Sequence, residues 1–136
     1  MKYFLVVLLA ISLFSCDLSS PSEVNKAQIE EIFEGIKTAF DFKDVDALMQ
    51  YYHADFLHNT DDWGDEYAVW QIRMNEYDTF DFANIEIDTH NSFATVSLTM
   101  TLDNEQTSEP TDENGDLSYF YKTEDGWKVC GNNFSE

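Results

Sequence analysis

Apolar residues at the start of the folded part of the chain recur at the three- and four-residue spacing of a helix. Ser20, Pro21 and Glu23 precede them in the order of a capping box with proline at the first helical position. The pattern therefore predicts a helix that begins at Ser20 and ends near Phe42. Its apolar stripe consists of Ile29, Ile32, Phe33, Ile36 and Phe40.

Two shorter helices and a brief strand are predicted next. Asp44 can cap a second helix, whose apolar positions are Val45, Leu48, Met49 and Tyr52. The segment 56–58 reads as a short strand or extended turn, and the polar run 61–65 reads as a turn. A third helix follows, with one face formed by Tyr67, Trp70, Met74 and Tyr77.

After Asp78 the apolar period changes from 3.6 to 2, which is typical of strands. Strands are predicted around Ile85 and Ile87, over 96–102, over 117–121 and over 127–130, the last two joined by an Asp-Gly turn. The polar and acidic stretch 103–116 is expected to be a long hairpin loop. Helices followed by a strand meander predict an α+β domain, with helices on one face of a curved antiparallel sheet.

Composition narrows the class of protein. The 136 residues fit one domain, and 43% hydrophobic residues are enough for a packed core. The formal net charge is −20, with 7 Lys and Arg against 27 Asp and Glu. Nucleic-acid binding needs clustered basic residues, so a nucleic-acid partner is not expected.

The N-terminus has the features of a lipoprotein leader. Residues 3–14 form an apolar run that is too short to span a bilayer. The following Leu13-Phe14-Ser15-Cys16 resembles a bacterial lipoprotein cleavage box. The resemblance implies a signal peptide over 1–15, a lipidated Cys16 with a short tether over 16–22, and a folded domain over 23–136. It places the protein in the bacterial cell envelope, extracytoplasmic and membrane-attached through lipid; an ordinary secretion signal is the alternative.

The folded part resembles the nuclear transport factor 2-like superfamily, which includes the SnoaL-like cyclases. The similar segments are 43–56, which carries the second helix, and 119–135, which carries the last hairpin. The resemblance implies a cone-shaped, cystatin-like curved antiparallel sheet with three N-terminal helices around a pocket for a small apolar ligand. Pocket residues would be Tyr52, Trp70, Met74, Tyr119 and Asn132. It also implies a homodimer through the outer sheet face, for which the row Thr95 to Thr101 is the candidate.

Candidate catalytic residues are His53, Asp55 and His58, because a histidine oriented by a carboxylate can take a proton from carbon. Surface positions on an acidic loop are the competing interpretation. The limonene epoxide hydrolases, in the same superfamily, use an Asp–Arg–Asp triad. Here Arg73, the only arginine, is instead expected to form a surface ion pair with Glu76 or Asp78.

No metal site and no cofactor are predicted. The run Asp112 to Asp116 has alternating acidic residues, but Leu117 and Thr123 occupy the glycine and glutamate places of a calcium loop. Cys130 is expected to be a half-buried strand residue.

Three functions remain open from the sequence. The first is a lipid-anchored extracytoplasmic small-molecule-binding or accessory domain. The second is a cyclase, isomerase or dehydratase that uses a pocket histidine and carboxylate. The third is an acidic protein-interaction module, whose attraction to a basic partner would fade as salt rises.

Overall fold

The computed structural model describes residues 19–111 and 114–135. The expected signal peptide and the proposed lipid site at Cys16 lie outside these residues. Within them, no helix is long and apolar enough to cross a membrane.

Within the described residues, three helices precede the main sheet, as predicted. Helix α1 spans Pro21–Asp41, helix α2 spans Val45–Met49 and helix α3 spans Trp63–Glu76. The Ser20 side chain accepts a hydrogen bond from the Glu23 amide and the Glu23 carboxylate accepts one from the Ser20 amide, so the predicted capping box is confirmed. Helix α3 starts within the predicted turn, because Asp62 caps it by accepting from the amides of Gly64 and Asp65.

Seven strands complete the part of the domain that the structure describes. Strands β1 and β2 form a small hairpin over Leu57–His58 and Asp61–Asp62. The main sheet is antiparallel and has the order β3-β4-β6-β7, with β5 also paired to β4. Its strands are β3 (Phe80–His90), β4 (Phe93–Leu102), β5 (Glu105–Glu109), β6 (Tyr119–Thr123) and β7 (Gly126–Val129).

The loop predicted over 103–116 is wrong in its first half, which contains β5. Asp103 adopts the left-handed backbone conformation (φ 52°) in a tight turn, and β5 then pairs with β4 from Leu102↔Glu105 to Leu98↔Glu109. All five side chains of strand β5 are polar, so apolar periodicity gives no signal for it. Its pairing comes from backbone hydrogen bonds to β4.

The sheet is bent around α1, and aromatic side chains fill the space between them. A register shift in β3 between Ala83 and Glu86, with Asn84 at φ 54°, produces the bulge that bends the strand. Trp70 of α3 packs edge-on against Phe80 of β3 at 5.6 Å between ring centroids. The predicted stripe of α1 lies in this core, and all five of its residues are buried.

Gly131 holds β1 against the end of β7. Its φ is +81°, and a Cβ at this position would overlap the backbone carbonyl of Leu57. The amide of Leu57 donates to the Cys130 carbonyl at 3.0 Å, which closes the contact. This close approach brings His58, the next residue of β1, into the interior.

Candidate functional site

Arg73 points from α3 toward the interior of the domain, where it meets buried carboxyls. Its Nη1 lies 2.7 Å from Oδ2 of Asp116 and 3.8 Å from Oε1 of Glu66, and its side chain is 18% exposed. The guanidinium also lies 4.7 Å above the Trp70 ring. The expected surface ion pair with Glu76 or Asp78 is therefore wrong. Arg73 shares the inward face of α3 with Glu66 and Trp70, at the i, i+4, i+7 spacing.

A chain of buried hydrogen bonds supports Glu66. Trp70 Nε1 donates to the Tyr52 hydroxyl at 2.8 Å, and that hydroxyl donates to Glu66 Oε1 at 3.1 Å. Tyr52, Glu66 and Trp70 are all buried. In this arrangement the Tyr52 hydroxyl both accepts a hydrogen bond and donates one. The Glu66 carboxyl is thereby fixed beside Arg73.

Two further carboxyls come from the end of β5 and from the segment before β6. Asp116 binds Arg73, and Glu109 accepts a 3.4 Å hydrogen bond from the Leu117 amide on Oε2. Glu109 is 4% exposed, and its carboxyl also forms a side-chain hydrogen bond with Asp116. Glu66, Arg73, Glu109 and Asp116 are called the Arg73 cluster below.

The carboxyls of the Arg73 cluster have pKa values that are pushed apart. Burial, and then the negative charge of Asp116, raises the pKa of Glu66 well above its ordinary value, and the same causes raise the pKa of Glu109 to about 8. Burial alone would raise the pKa of Asp116, but Arg73 and hydrogen bonds from the two glutamic acids hold it at about 2. At neutral pH the cluster contains an ionised Asp116 beside Arg73 and a protonated Glu109, and Glu66 keeps its proton to a higher pH than an ordinary glutamic acid.

His58 lies at the edge of this cluster. It is 7% exposed, its ring packs near Tyr119 at 6.0 Å between centroids, and its Nδ1 accepts weakly from the Asn132 amide at 3.4 Å. Its Nε2 has no partner among the described residues. Burial lowers the pKa of His58, and the charges of Asp116 and Asp61 only partly oppose that shift. The ring is therefore neutral at pH 7.

His53 and Asp55 lie elsewhere, on the surface. The His53 ring packs against Phe134 at 4.7 Å between centroids, and its Nδ1 accepts from the Asp55 amide at 3.0 Å. The Asp55 carboxylate is 83% exposed and 4.0 Å from that nitrogen. His53 lines an open cleft of about 700 Å³ together with Trp63 and Lys128. The three catalytic candidates thus separate, and only His58 is near the Arg73 cluster.

The predicted pocket residues are distributed unevenly around the cluster. Tyr52, Trp70 and Met74 are buried in the core, and the first two take part in the hydrogen-bond chain to Glu66. Tyr119 is half-buried beside His58. Asn132 is exposed, and its side chain bonds to Asn59 in a surface turn.

A cleft of about 340 Å³ between α3 and strands β4–β5 reaches Arg73 from outside. Neither Glu66 nor Asp116 lines it, so the guanidinium separates these two carboxyls from the cleft. The walls combine apolar side chains with acidic ones. The lining residues are Val69, Ile72, Arg73, Glu76, Tyr77, Met100, Leu102, Glu105, Thr107 and Asn114.

The sequence patterns did not predict that Glu66, Glu109 and Asp116 belong to a site. They did single out Arg73, but with the wrong partners. For Glu66 and Arg73 a signal exists, because both fall on the apolar face of α3 marked by Trp70 and Met74. A charged residue on such a face must find a partner in the interior. For Glu109 and Asp116 no comparable signal exists, since they lie in a polar stretch that reads as solvent-exposed.

In the part of the chain that the structure describes, no three His, Cys, Asp or Glu side chains form a group that could hold a metal ion. Asp112 and Glu113 of the calcium-like run lie outside the described residues. Cys130 is buried, with 1% exposure, rather than half-buried, and burial raises the pKa of its thiol to about 12.

Comparison with known proteins gives matches at the level of structure only. No protein-family model matches the chain, and no curated protein does. Among solved structures, an NTF2-like protein of unknown function from Shewanella oneidensis is 18% identical with a TM-score of 0.58, over 78% of this chain and 94% of its own. A candidate dehydratase of the NTF2-like family from Streptomyces avermitilis is 15% identical with a TM-score of 0.57, over 80% and 94%.

A protein of unknown function from Nostoc punctiforme with a cystatin-like fold is 13% identical, with a TM-score of 0.57 over 79% of this chain and 87% of its own. These likenesses confirm the predicted fold: the chain has the nuclear transport factor 2-like, cystatin-like α+β architecture. At such low sequence identities, these structural likenesses establish the fold alone.

The free energy of unfolding should fall as pH rises, because the unfolded chain loses the Glu109 proton at a lower pH than the folded protein does. A carboxyl whose pKa is about 8 when folded and about 4.5 when unfolded destabilises the fold progressively between these two pH values. Glu109→Gln has no such proton to lose. We expect this variant to exceed the parent protein by about 1–3 kcal/mol in free energy of unfolding at pH 8.5, and to match it near pH 4.5.

Urea unfolding at both pH values measures this difference. Glu124→Gln is the control, since Glu124 is exposed in the β6–β7 turn and its loss changes the net charge by the same amount. Equal pH dependence in the parent and Glu109→Gln would show that Glu109 is ionised in the folded protein at neutral pH.

Proposed function

We propose that this chain is a small-molecule-binding domain, attached by lipid to the extracytoplasmic side of a bacterial membrane, that binds its ligand in the cleft at Arg73. The observation that carries the proposal is the Arg73 cluster itself. Three carboxyls and a guanidinium buried together stabilise a fold poorly, because desolvation offsets most of their attraction. Buried groups with pKa values pushed in opposite directions are typical of functional sites.

The position of the cleft supports the same assignment. It opens between α3 and the β4–β5 side of the sheet, and Arg73 links it to the buried carboxyls. Apolar walls with a few polar groups at one end are typical of small-molecule sites. One structural neighbour is named as a candidate dehydratase, an enzyme that would act on a small molecule, which agrees with a ligand site in this fold.

A second candidate function is acid–base catalysis at the same place. The observation that favours it is that a protonated Glu109 and a Glu66 with a raised pKa lie with ionised Asp116 and near the neutral His58. Groups that hold and groups that lack a proton at the same pH can serve as acid and base on one substrate. Of the two histidines predicted as candidates, His58 is the one that lies near the Arg73 cluster.

The lipid anchor rests on the sequence. Cys16 precedes the Ser20 cap by four positions, so a lipid on Cys16 would hold the start of α1 close to the membrane surface.

Native mass spectrometry of the gently purified protein tests ligand binding at the Arg73 cleft. We expect a retained small molecule in the parent protein and its loss in Thr107→Trp, because Thr107 lines the cleft and an indole there fills it. Ser108→Trp is the matched control, since Ser108 is the next residue of β5 and is exposed. Retention should be unchanged in this control.

Retention of the same molecule by both tryptophan variants would place the ligand elsewhere. An empty protein that purifies only with a polypeptide would favour the acidic interaction module instead. If the retained molecule exchanges carbon-bound hydrogen for deuterium in D₂O only while His58 is intact, the catalytic candidate is favoured.

Lipidation is tested by growing bacteria that express the chain with radiolabelled palmitate. We expect the protein to be labelled and to partition into detergent, and Cys16→Ala to lose both properties, because the thiol is the acceptor of the lipid. Cys130→Ala provides the control and should keep the label, since Cys130 is buried in the domain. Label that persists in Cys16→Ala would contradict the anchor.

A further inference from the structure

The start of helix α1 lies at the tip of the β3–β4 hairpin. The hydroxyl of Ser22 is 3.3 Å from that of Thr89 in β3. Lys122 of β6 joins both elements, since its Nζ donates to Asn25 Oδ1 at 2.8 Å and its amide donates to the Ser92 carbonyl at 2.8 Å. The start of α1, the hairpin tip and β6 therefore meet at one end of the domain. It is called the tether end below, because the proposed lipid tether enters the domain there.

Three aromatic side chains form an exposed patch at the tether end. The centroid of the Phe93 ring lies 5.0 Å from that of Tyr121 and 6.4 Å from that of Phe134. The rings of Tyr121 and Phe134 are themselves 5.0 Å apart. Phe93 is 44% exposed, and the other two side chains are half-buried. These three residues are called the Phe93 patch.

The Phe93 patch does not belong to the core. Phe93 and Tyr121 are paired across β4 and β6, and the next residue pair, Ala94 and Phe120, is buried on the opposite face of the sheet. Farther along β4, the residues that share the outward face with Phe93 are the polar row from Thr95 to Thr101. Along this strand, the aromatic character of the outer face is therefore confined to the tether end.

The length of the tether determines what the Phe93 patch can meet. Four peptide units separate Cys16 from Ser20, so a lipid on Cys16 holds the start of α1 within about 14 Å of the membrane surface. Helix α1 runs along β3 away from this end, since Lys37 near its other end is paired with Asp81 at 2.8 Å. Its 21 residues span about 30 Å, so Phe42, which is 80% exposed, lies at the far end of the domain.

From this arrangement we propose that the Phe93 patch rests in the headgroup region of the membrane that holds the lipid anchor. The inference rests on the lipid anchor of the proposed function, and adds the surface by which the domain meets the bilayer. Aromatic rings are favoured at the boundary between headgroups and acyl chains. The contact is apolar rather than electrostatic, because a net charge of −20 is repelled by anionic headgroups.

This contact sets the orientation of the Arg73 cleft. Leu102 and Glu105, which line that cleft, lie at the opposite end of β4 from Phe93. With the Phe93 patch on the membrane, the cleft is held away from the lipid and opens to the aqueous compartment. A water-soluble ligand would then reach Arg73 without crossing the headgroup region.

Fluorescence of the lipidated full-length protein in vesicles of phosphatidylcholine with brominated acyl chains tests the contact. Bromine quenches tryptophan that it touches, and the parent protein gives the baseline for the native tryptophans. Phe93→Trp and Phe134→Trp place a probe in the patch, and Phe42→Trp is the matched control, exposed at the far end. We expect the added emission of both patch variants to be quenched at least about twofold more strongly than that of the control, at low and high salt alike.

Flotation of the same vesicles reports the lipid anchor separately, because the parent protein should float with them and Cys16→Ala should not. If the parent floats but neither patch variant is quenched more than Phe42→Trp, the membrane contact is overturned and the anchor stands. A dimeric protein with this result would assign the patch to a second copy of the chain. Quenching that disappears at high salt would also overturn the proposal, since the contact would then be electrostatic. If the parent does not float, the anchor and the membrane contact fail together.

Discussion

The contact between Arg73 and Asp116 is the interaction on which the rest of the site depends. At 2.7 Å it supplies the positive charge that keeps Asp116 ionised in the interior. Burial, together with the negative charge of Asp116, raises the pKa values of Glu66 and Glu109. Helix α3 delivers the guanidinium, which lies 4.7 Å from the centre of the Trp70 ring.

The fold positions this contact by joining segments that are far apart in the sequence. Helix α3 brings Glu66 and Arg73, the end of β5 brings Glu109, and the segment before β6 brings Asp116. Gly131 and the backbone of Leu57 set β1 so that His58 lies beside them. Aromatic packing between α1, α3 and the sheet fills the rest of the interior, and Trp70 belongs both to this packing and to the hydrogen-bond chain that supports Glu66.

Sequence patterns predicted the helices, the capping box and most strands, because these depend on local spacing and on short-range hydrogen bonds. The stripe of α1 and the turn at Asp125-Gly126 are examples in which the local signal and the tertiary structure agree. Strand β5 was missed because its side chains are polar and only backbone pairing with β4 holds it. Arg73 was assigned to the surface because helical spacing offered nearby carboxylates, while its true partner is 43 positions away in the chain. His58 and His53 look equivalent in sequence, and only the approach of β1 to Gly131 separates them.

Burial and the contact between Arg73 and Asp116 push the pKa values of the cluster apart, so that Asp116 is ionised and Glu109 is protonated at neutral pH. Carbon-13 NMR of the side-chain carboxyls, titrated from pH 2 to pH 10 and assigned with Asp116→Asn and Glu109→Gln, measures this most directly. We expect Asp116 to titrate at about pH 2 and Glu109 at about pH 8, with Glu66 titrating well above the ordinary range of a glutamic acid. An ionised Glu109 at pH 7 would contradict this assignment.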